Sequence, residues 1–207
     1  MMIKRIILAS ASPRRREILE RFNIKFDVIP SDADENISPD MPHSQYVETL
    51  ARIKGEAVRD ALLSRGDDLT DTLIISCDTI VSHAGKILGK PKDERDAYTM
   101  LTSLSGDFHD VLSGLSLIYN GKSYIGSAVT RVKFAEVLPH DAQAYVDSGE
   151  PMGKAGAYAI QGKASAFVES IEGDFYNIVG FPLALFSKML AENFGVSVFD
   201  LSDENDR

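Results

Sequence analysis

The stretch "IILASASPRRREIL", Ile6–Leu19, sets the fold class. Ile6-Ile7-Leu8 is a short apolar run of the kind that forms a buried strand. The chain leaves it through small residues and enters Ser12-Pro13, a helix start with Ser12 as N-cap and Pro13 at the first helical position. Ile18, Leu19 and Phe22 then face inward. A core strand delivered straight into a helix is the opening of a crossover, and it points to an α/β architecture. The same stretch poses a question of charge. Arg14, Arg15 and Arg16 fall in the first helical turn, where the backbone already presents partial positive charge. A bound anion would turn that arrangement from unfavourable to favourable, because helix-start N–H groups and guanidinium forks converge on phosphate. Arg16 has a simpler use, an ion pair with Glu20 one turn on.

Working outward, "IKFDVIPSD" predicts a second short strand ending in a polar loop with Asp32, Asp34 and Glu35. A long helix is expected from His43 to Ser64. The run "TLIISCDTIV" is a strand that turns at Ala84-Gly85 and returns through Ile87-Leu88 as a hairpin. Asp93 caps the next helix, with Ala97, Met100, Leu101 and Leu104 inward and Gly106 as its stop. A second hairpin, Val111 to Tyr119 and Tyr124 to Ala135, folds across Asn120-Gly121. A short helix covers Pro139 to Ser148, "AGAYAIQG" and "AFVESIEG" are expected as strands, and Pro182 to Asn193 forms a closing helix. Crossovers mixed with hairpins predict a mixed, twisted sheet. Residues 1–200 are expected to form one domain in two lobes, and residues 201–207 a disordered tail.

Composition narrows the function. The chain has 207 residues, 44% of them hydrophobic and 26% charged, which suits a globular protein with a sizeable core. A net charge of −9, and no aromatics interleaved with the basic cluster, argue against a nucleic-acid binder. No apolar run approaches the length of a membrane span. The single cysteine, Cys77, leaves no disulfide framework and no cysteine zinc site, and fits a reducing cytoplasm. The four histidines lie in turns or at element ends without ligand spacing, and His109 reads as the start of a strand.

Against this background charges in apolar places stand out. Lys54 falls in the stripe formed by Val47, Leu50, Ala51, Val58, Ala61 and Leu62. A lysine there either snorkels from the stripe's edge or meets a negative group. Asp78 interrupts "IISCDTIV", and a carboxylate there is costly unless it is hydrogen-bonded or working. It either pairs with Thr79 at a local bulge or handles a ligand at a strand end. Lys90 in "ILGKP" is a weaker signal, and the spacing is not that of a P-loop, which needs four residues between its glycines and Ser or Thr after Lys. Together Arg14, Arg15, Lys54 and Lys90 supply a positive cradle in an acidic protein. Asp78, with Glu35 and Asp34, supplies carboxylates able to bind a hard cation or activate water. Cradle and carboxylates together suit metal-assisted phosphoryl chemistry on a nucleotide.

Five blocks, "LASASPRRREIL", "CDTIV", "ILGKPKDERDAYTMLTSLSG", "GEPMGKAGAYAIQG" and "VGFPLALF", resemble the Maf family of nucleotide pyrophosphatases, in the family's order and over nearly the whole chain. The resemblance implies a mixed α/β fold with a cleft between two lobes, related to the inosine triphosphate pyrophosphatases. It implies hydrolysis of a nucleoside triphosphate between the α and β phosphates, a divalent cation (Mg²⁺ or Mn²⁺), and the option of a homodimer. It assigns Asp78 as the catalytic aspartate, Ser10, Arg14, Arg15, Lys54 and Lys90 to substrate, and Glu35 beside Asp78 to the metal. Arg14, Thr79 and Gln161 mark the branch acting on dTTP and UTP, whereas the 7-methyl-GTP branch carries glutamate in place of Gln161. The Gln161 amide gives both donor and acceptor, and uracil or thymine presents two carbonyls and one N–H. Gly153 stands where the family usually has aspartate, and Ala159 where it usually has glycine. The competing readings are a purine or 7-methyl-GTP pyrophosphatase and a regulator of septum formation, the role behind the family's name.

Overall fold

The computed structural model describes residues 3–202. Seven strands and six helices follow in the order β1 (Arg5–Leu8), α1 (Pro13–Glu20), β2 (Asp27–Val28), α2 (His43–Ser64), β3 (Thr72–His83), β4 (Lys86–Leu88), α3 (Glu94–Leu104), β5 (Phe108–Tyr119), β6 (Lys122–Phe134), α4 (Pro139–Asp147), β7 (Val168–Glu172), α5 (Phe175–Val179) and α6 (Leu183–Phe194). The strands make one mixed sheet in the order β2-β1-β3-β5-β6-β7, with β4 also on β3. β1 runs parallel to β2 and β3, while β4 on β3 and β7 on β6 are antiparallel. The expected mixed α/β fold is therefore what forms. Both hairpins turn where expected, with positive φ at both central residues, Ala84-Gly85 and Asn120-Gly121.

The chain divides into two compact units. The first takes the chain up to Asp78, then 113–128, then everything from Gly180. The second takes 79–112 and 129–179. In the first unit α2 lies on one face of the sheet, burying Val58 and Leu62 against Ile7, Ala9, Ile74 and Ile118. Each such side chain withdrawn from water contributes about 1.5–3 kcal/mol. The helix comes unusually near the sheet at Gly55, where an added Cβ would stand 2.6 Å from Ser76 Oγ. That close approach brings the residue before it, Lys54, down to β3. In the second unit an aromatic core gathers, with His109, Phe134 and Tyr158 in mutual edge-to-face contact and Phe167 bridging Phe134 to Tyr145.

The structure departs from expectation in five places. "AGAYAIQG" is not a strand: residues 155–157 form a 3-10 turn and the chain turns again to Gly162. Positive φ at both Gly156 and Ala157 is incompatible with an extended strand. The second strand shrinks to Asp27–Val28. Ser12 stands at the N-cap of α1, but its side chain makes no capping bond; its N–H donates to Ser10 Oγ at 3.2 Å instead. The one-turn helix α5 was not anticipated, because five residues are too few to show a period. Of the tail, Leu201 ends a 3-10 turn and Ser202 bridges to Ile24, while 203–207 lie outside the described residues.

Candidate active site

Two groups of side chains in the first unit gather where β1 ends alongside the middle of β3. β1 and β3 are in parallel register, Leu8 opposite Ile75, and the Ala9 N–H extends the ladder to Ile75 O at 2.8 Å. Ser10 and Asp78 both follow just beyond. Side chains alternate along a strand. Ser76 and Asp78 therefore share the face that α2 covers, and Ser76 Oγ donates to Ala51 O of α2 at 2.7 Å. One turn further along α2, Lys54 Nζ reaches Asp78 Oδ1 at 2.6 Å and Glu35 Oε2 at 2.9 Å. Lys54 thus does not snorkel outward: its side chain is 14% exposed and that of Asp78 13%, against 55% for Glu35. Two carboxylates, one on a strand and one on the loop after β2, converge on a single cation.

The other face belongs to α1. Arg15 Nη1 donates to Ser10 Oγ at 3.0 Å and Arg15 Nε to Gly180 O at 2.8 Å. The same carbonyl accepts Cys77 Sγ at 3.5 Å, which fastens Arg15 beside the residue preceding Asp78. Arg14 is exposed, and its pKa is lowered first by desolvation and then by the like charge of Arg15. Like charge on neighbouring guanidinium groups is chemistry suited to an anion such as phosphate. Arg16 turns away, its Nε 2.6 Å from Glu20 Oε1 as the spacing predicts.

The remaining predicted residues belong to the second unit. Thr79 is half-buried on β3, Lys90 is exposed in the loop after β4, and Gln161 is exposed in the turn that replaces the expected strand. What the sequence did not reveal is the part played by Gly180: a backbone carbonyl has no side-chain signature, although it lies inside the block "VGFPLALF".

The donor set fits a hard divalent cation. Mg²⁺ usually takes one or two carboxylates and fills its shell with water and substrate phosphates. Glu35 and Asp78 already share one positive charge, the Lys54 ammonium.

A family model described as "Maf-like protein" matches residues 5–193. The chain belongs to the Maf family. Among curated Maf relatives it is similar to a dTTP/UTP pyrophosphatase of Thermococcus gammatolerans, 49% identical over 92% of this chain and 98% of the relative. It is similar to another of that name from Clostridium botulinum (strain Kyoto / Type A2), 46% identical over 92% and 97%. A third, from Alkaliphilus metalliredigens, is 42% identical over 95% and 100%. Among the described residues of this Maf protein, no helix is long and apolar enough to cross a membrane.

Proposed function

We propose that this Maf protein hydrolyses dTTP and UTP to the nucleoside monophosphate and pyrophosphate. The observation that carries the reading is the Lys54 bridge between Asp78 and Glu35, inside a chain 42–49% identical over nearly its full length to proteins named for that reaction.

The reaction is an in-line attack of water on the α-phosphorus. Asp78 takes the water's proton; its Oδ1 holds Lys54, so Oδ2 is the atom assigned to it. The bond from the α-phosphorus to the oxygen bridging it to the β-phosphorus then breaks, and pyrophosphate leaves. Arg14, Arg15, Lys54 and Lys90 neutralise the charge that builds on that leaving group, usually the largest single contribution to catalysis. Ser10 orients Arg15 and with it lines the phosphate path, a role supported by their 3.0 Å hydrogen bond. Glu35 and Asp78 would hold Mg²⁺ or Mn²⁺, which when bound supplies charge neutralisation on the phosphates and a more acidic water. Thr79 and Gln161 are assigned to the nucleoside, with the Gln161 amide matching the donor and acceptor edge of uracil or thymine. The working compartment is the reducing cytoplasm, a reading supported by the chain holding a single cysteine, Cys77, which is buried.

The test is a screen of UTP, dTTP, CTP, GTP and 7-methyl-GTP at fixed Mg²⁺. The expected result is one pyrophosphate released per UMP or dTMP formed. Orthophosphate as the first product would overturn the bond assignment, and a preference for 7-methyl-GTP would overturn the choice of base.

A further inference from the structure

Gln161 sits in a turn with no sheet partner, yet the backbone on either side of it is tied down. Gly162 N–H donates to Ala159 O at 3.0 Å, closing the turn around Ile160 and Gln161. Before Gln161, the Ala159 N–H donates to Tyr145 Oη at 3.2 Å. After it, the Lys163 N–H donates to Glu150 Oε1 at 3.0 Å and Oε2 at 3.3 Å. Tyr145 Oη itself donates to Glu150 Oε1 at 3.1 Å. A single hydrogen-bonded pair therefore grips both flanks of the turn.

The fit is close. A Cβ added at Gly162 would stand 2.0 Å from Glu150 Oε1, so glycine is what lets the carboxylate lie against the turn. The pair is itself anchored. Tyr145 is buried on α4, and the Lys154 ammonium donates to the Glu150 carbonyl. Burial, together with the nearby Glu150 charge, raises the Tyr145 pKa well above its ordinary value, so its proton stays available to the carboxylate. The Gln161 side chain takes no part in this packing and is exposed. The segment gains its order from side chain to backbone bonds, and what that order presents to solvent is Gln161.

We propose that Glu150, acting with Tyr145, is a positioning residue that fixes Gln161 and thereby sets selectivity for the base without touching the nucleotide. This rests on the reading of Gln161 given above. Discrimination by hydrogen bonding depends on an amide held in one place, because a donor or acceptor left misaligned loses its advantage over a rival base.

The experiment measures kcat and KM for UTP and GTP in Glu150→Ala, Gln161→Ala and the double variant, with circular dichroism as the fold control. In Glu150→Ala the UTP over GTP preference in kcat/KM should fall about tenfold, carried by the KM for UTP, with kcat changed less than about threefold. The double variant should be no less selective than Gln161→Ala alone, the non-additivity expected when one residue acts through the other. Glu150→Gln keeps an acceptor oxygen for the Lys163 N–H and should recover most of the preference. Should Glu150→Ala not fold, Tyr145→Phe removes only the hydroxyl and is read in the same way. Equal losses for UTP and GTP, or effects that multiply in the double variant, would overturn the proposal. Failure of the functional reading looks different: wild-type protein releasing no pyrophosphate from UTP. An unchanged preference in Gln161→Ala would remove both the base contact and the role of Glu150.

Discussion

Lys54 and Glu150 each hold other groups in place by charge, but they are mounted in opposite ways. Lys54 projects from the interior of a 22-residue helix onto a strand buried almost throughout, and its position follows from helix and strand register. Glu150 stands in a loop after α4 and orders a turn that has no ladder of its own. Lys54 rests on a scaffold that would persist without its charge. The turn around Gln161 is closed by one backbone bond of its own and is gripped on both flanks by Tyr145 and Glu150. Changes near Lys54 should therefore appear as lost chemistry on an intact fold, whereas changes in the second unit should appear first as altered stability or selectivity.

The strongest break in that comparison is Asp78→Asn. The amide keeps the shape of the carboxylate and cannot take a proton from water. Turnover of UTP should fall roughly 10³-fold, the middle of the range for loss of a general base. Nucleotide binding and the circular dichroism spectrum should persist, since Lys54 keeps Glu35 as partner. A near wild-type rate, measured by pyrophosphate release, would remove Asp78 from the mechanism. An unfolded variant would show that the first unit depends on its charges as much as the second depends on its tethers.

The same asymmetry decides what was legible in the sequence. Lys54 and Asp78 showed themselves because a charge in an apolar period is conspicuous, and each is bonded to the other. The bounds of α2 were legible because its apolar stripe, Val47 to Leu62, runs for about four turns. The segment 155–162 misled because alternating small and larger residues imitate a strand, while the positive φ values at Gly156 and Ala157 leave no mark in composition. Glu150 is inconspicuous for a related reason. A carboxylate in a loop reads as solvated surface, and it is the fold that brings its oxygens to accept from Lys163 and Tyr145.

The core of the second unit gives the next largest effect, and it is one of stability. His109 Nε2 lies 2.8 Å from Tyr158 Oη, and Nδ1 is buried with no partner among the described residues. Burial lowers the imidazole pKa to about 4 from the ordinary 6.5. The folded state thus favours the neutral ring, while the unfolded chain takes up a proton from pH 6.5 downward. The contribution is complete above pH 6.5 and is lost progressively as the pH falls toward 4, about 3 kcal/mol in total. Urea titrations between pH 7 and 4 on the wild type and His109→Phe measure this as a difference, with the variant losing less stability on acidification. Parallel curves would mean that His109 is protonated in the fold and that the second unit tolerates buried charge as the first does.

The smallest predicted effect separates neighbours on one helix. Arg15 is half-buried and spends its donors on Ser10 Oγ and Gly180 O, so its position relative to β1 is fixed before any anion arrives. Arg16 pairs with Glu20 on an exposed face, where side-chain entropy and screening cancel most of the attraction. Arg15→Ala should raise the KM for UTP about tenfold, as expected for removal of a charge-assisted phosphate contact. Arg16→Ala should leave KM, kcat and the melting temperature unchanged within error. Steady-state kinetics at two ionic strengths sharpen the contrast, because a phosphate contact weakens in salt and Arg16 has none to lose. If the two variants behaved alike, the crowding of three cations at the start of α1 would be a general attraction for anions, and the hydrogen bonds that single out Arg15 would have no functional meaning.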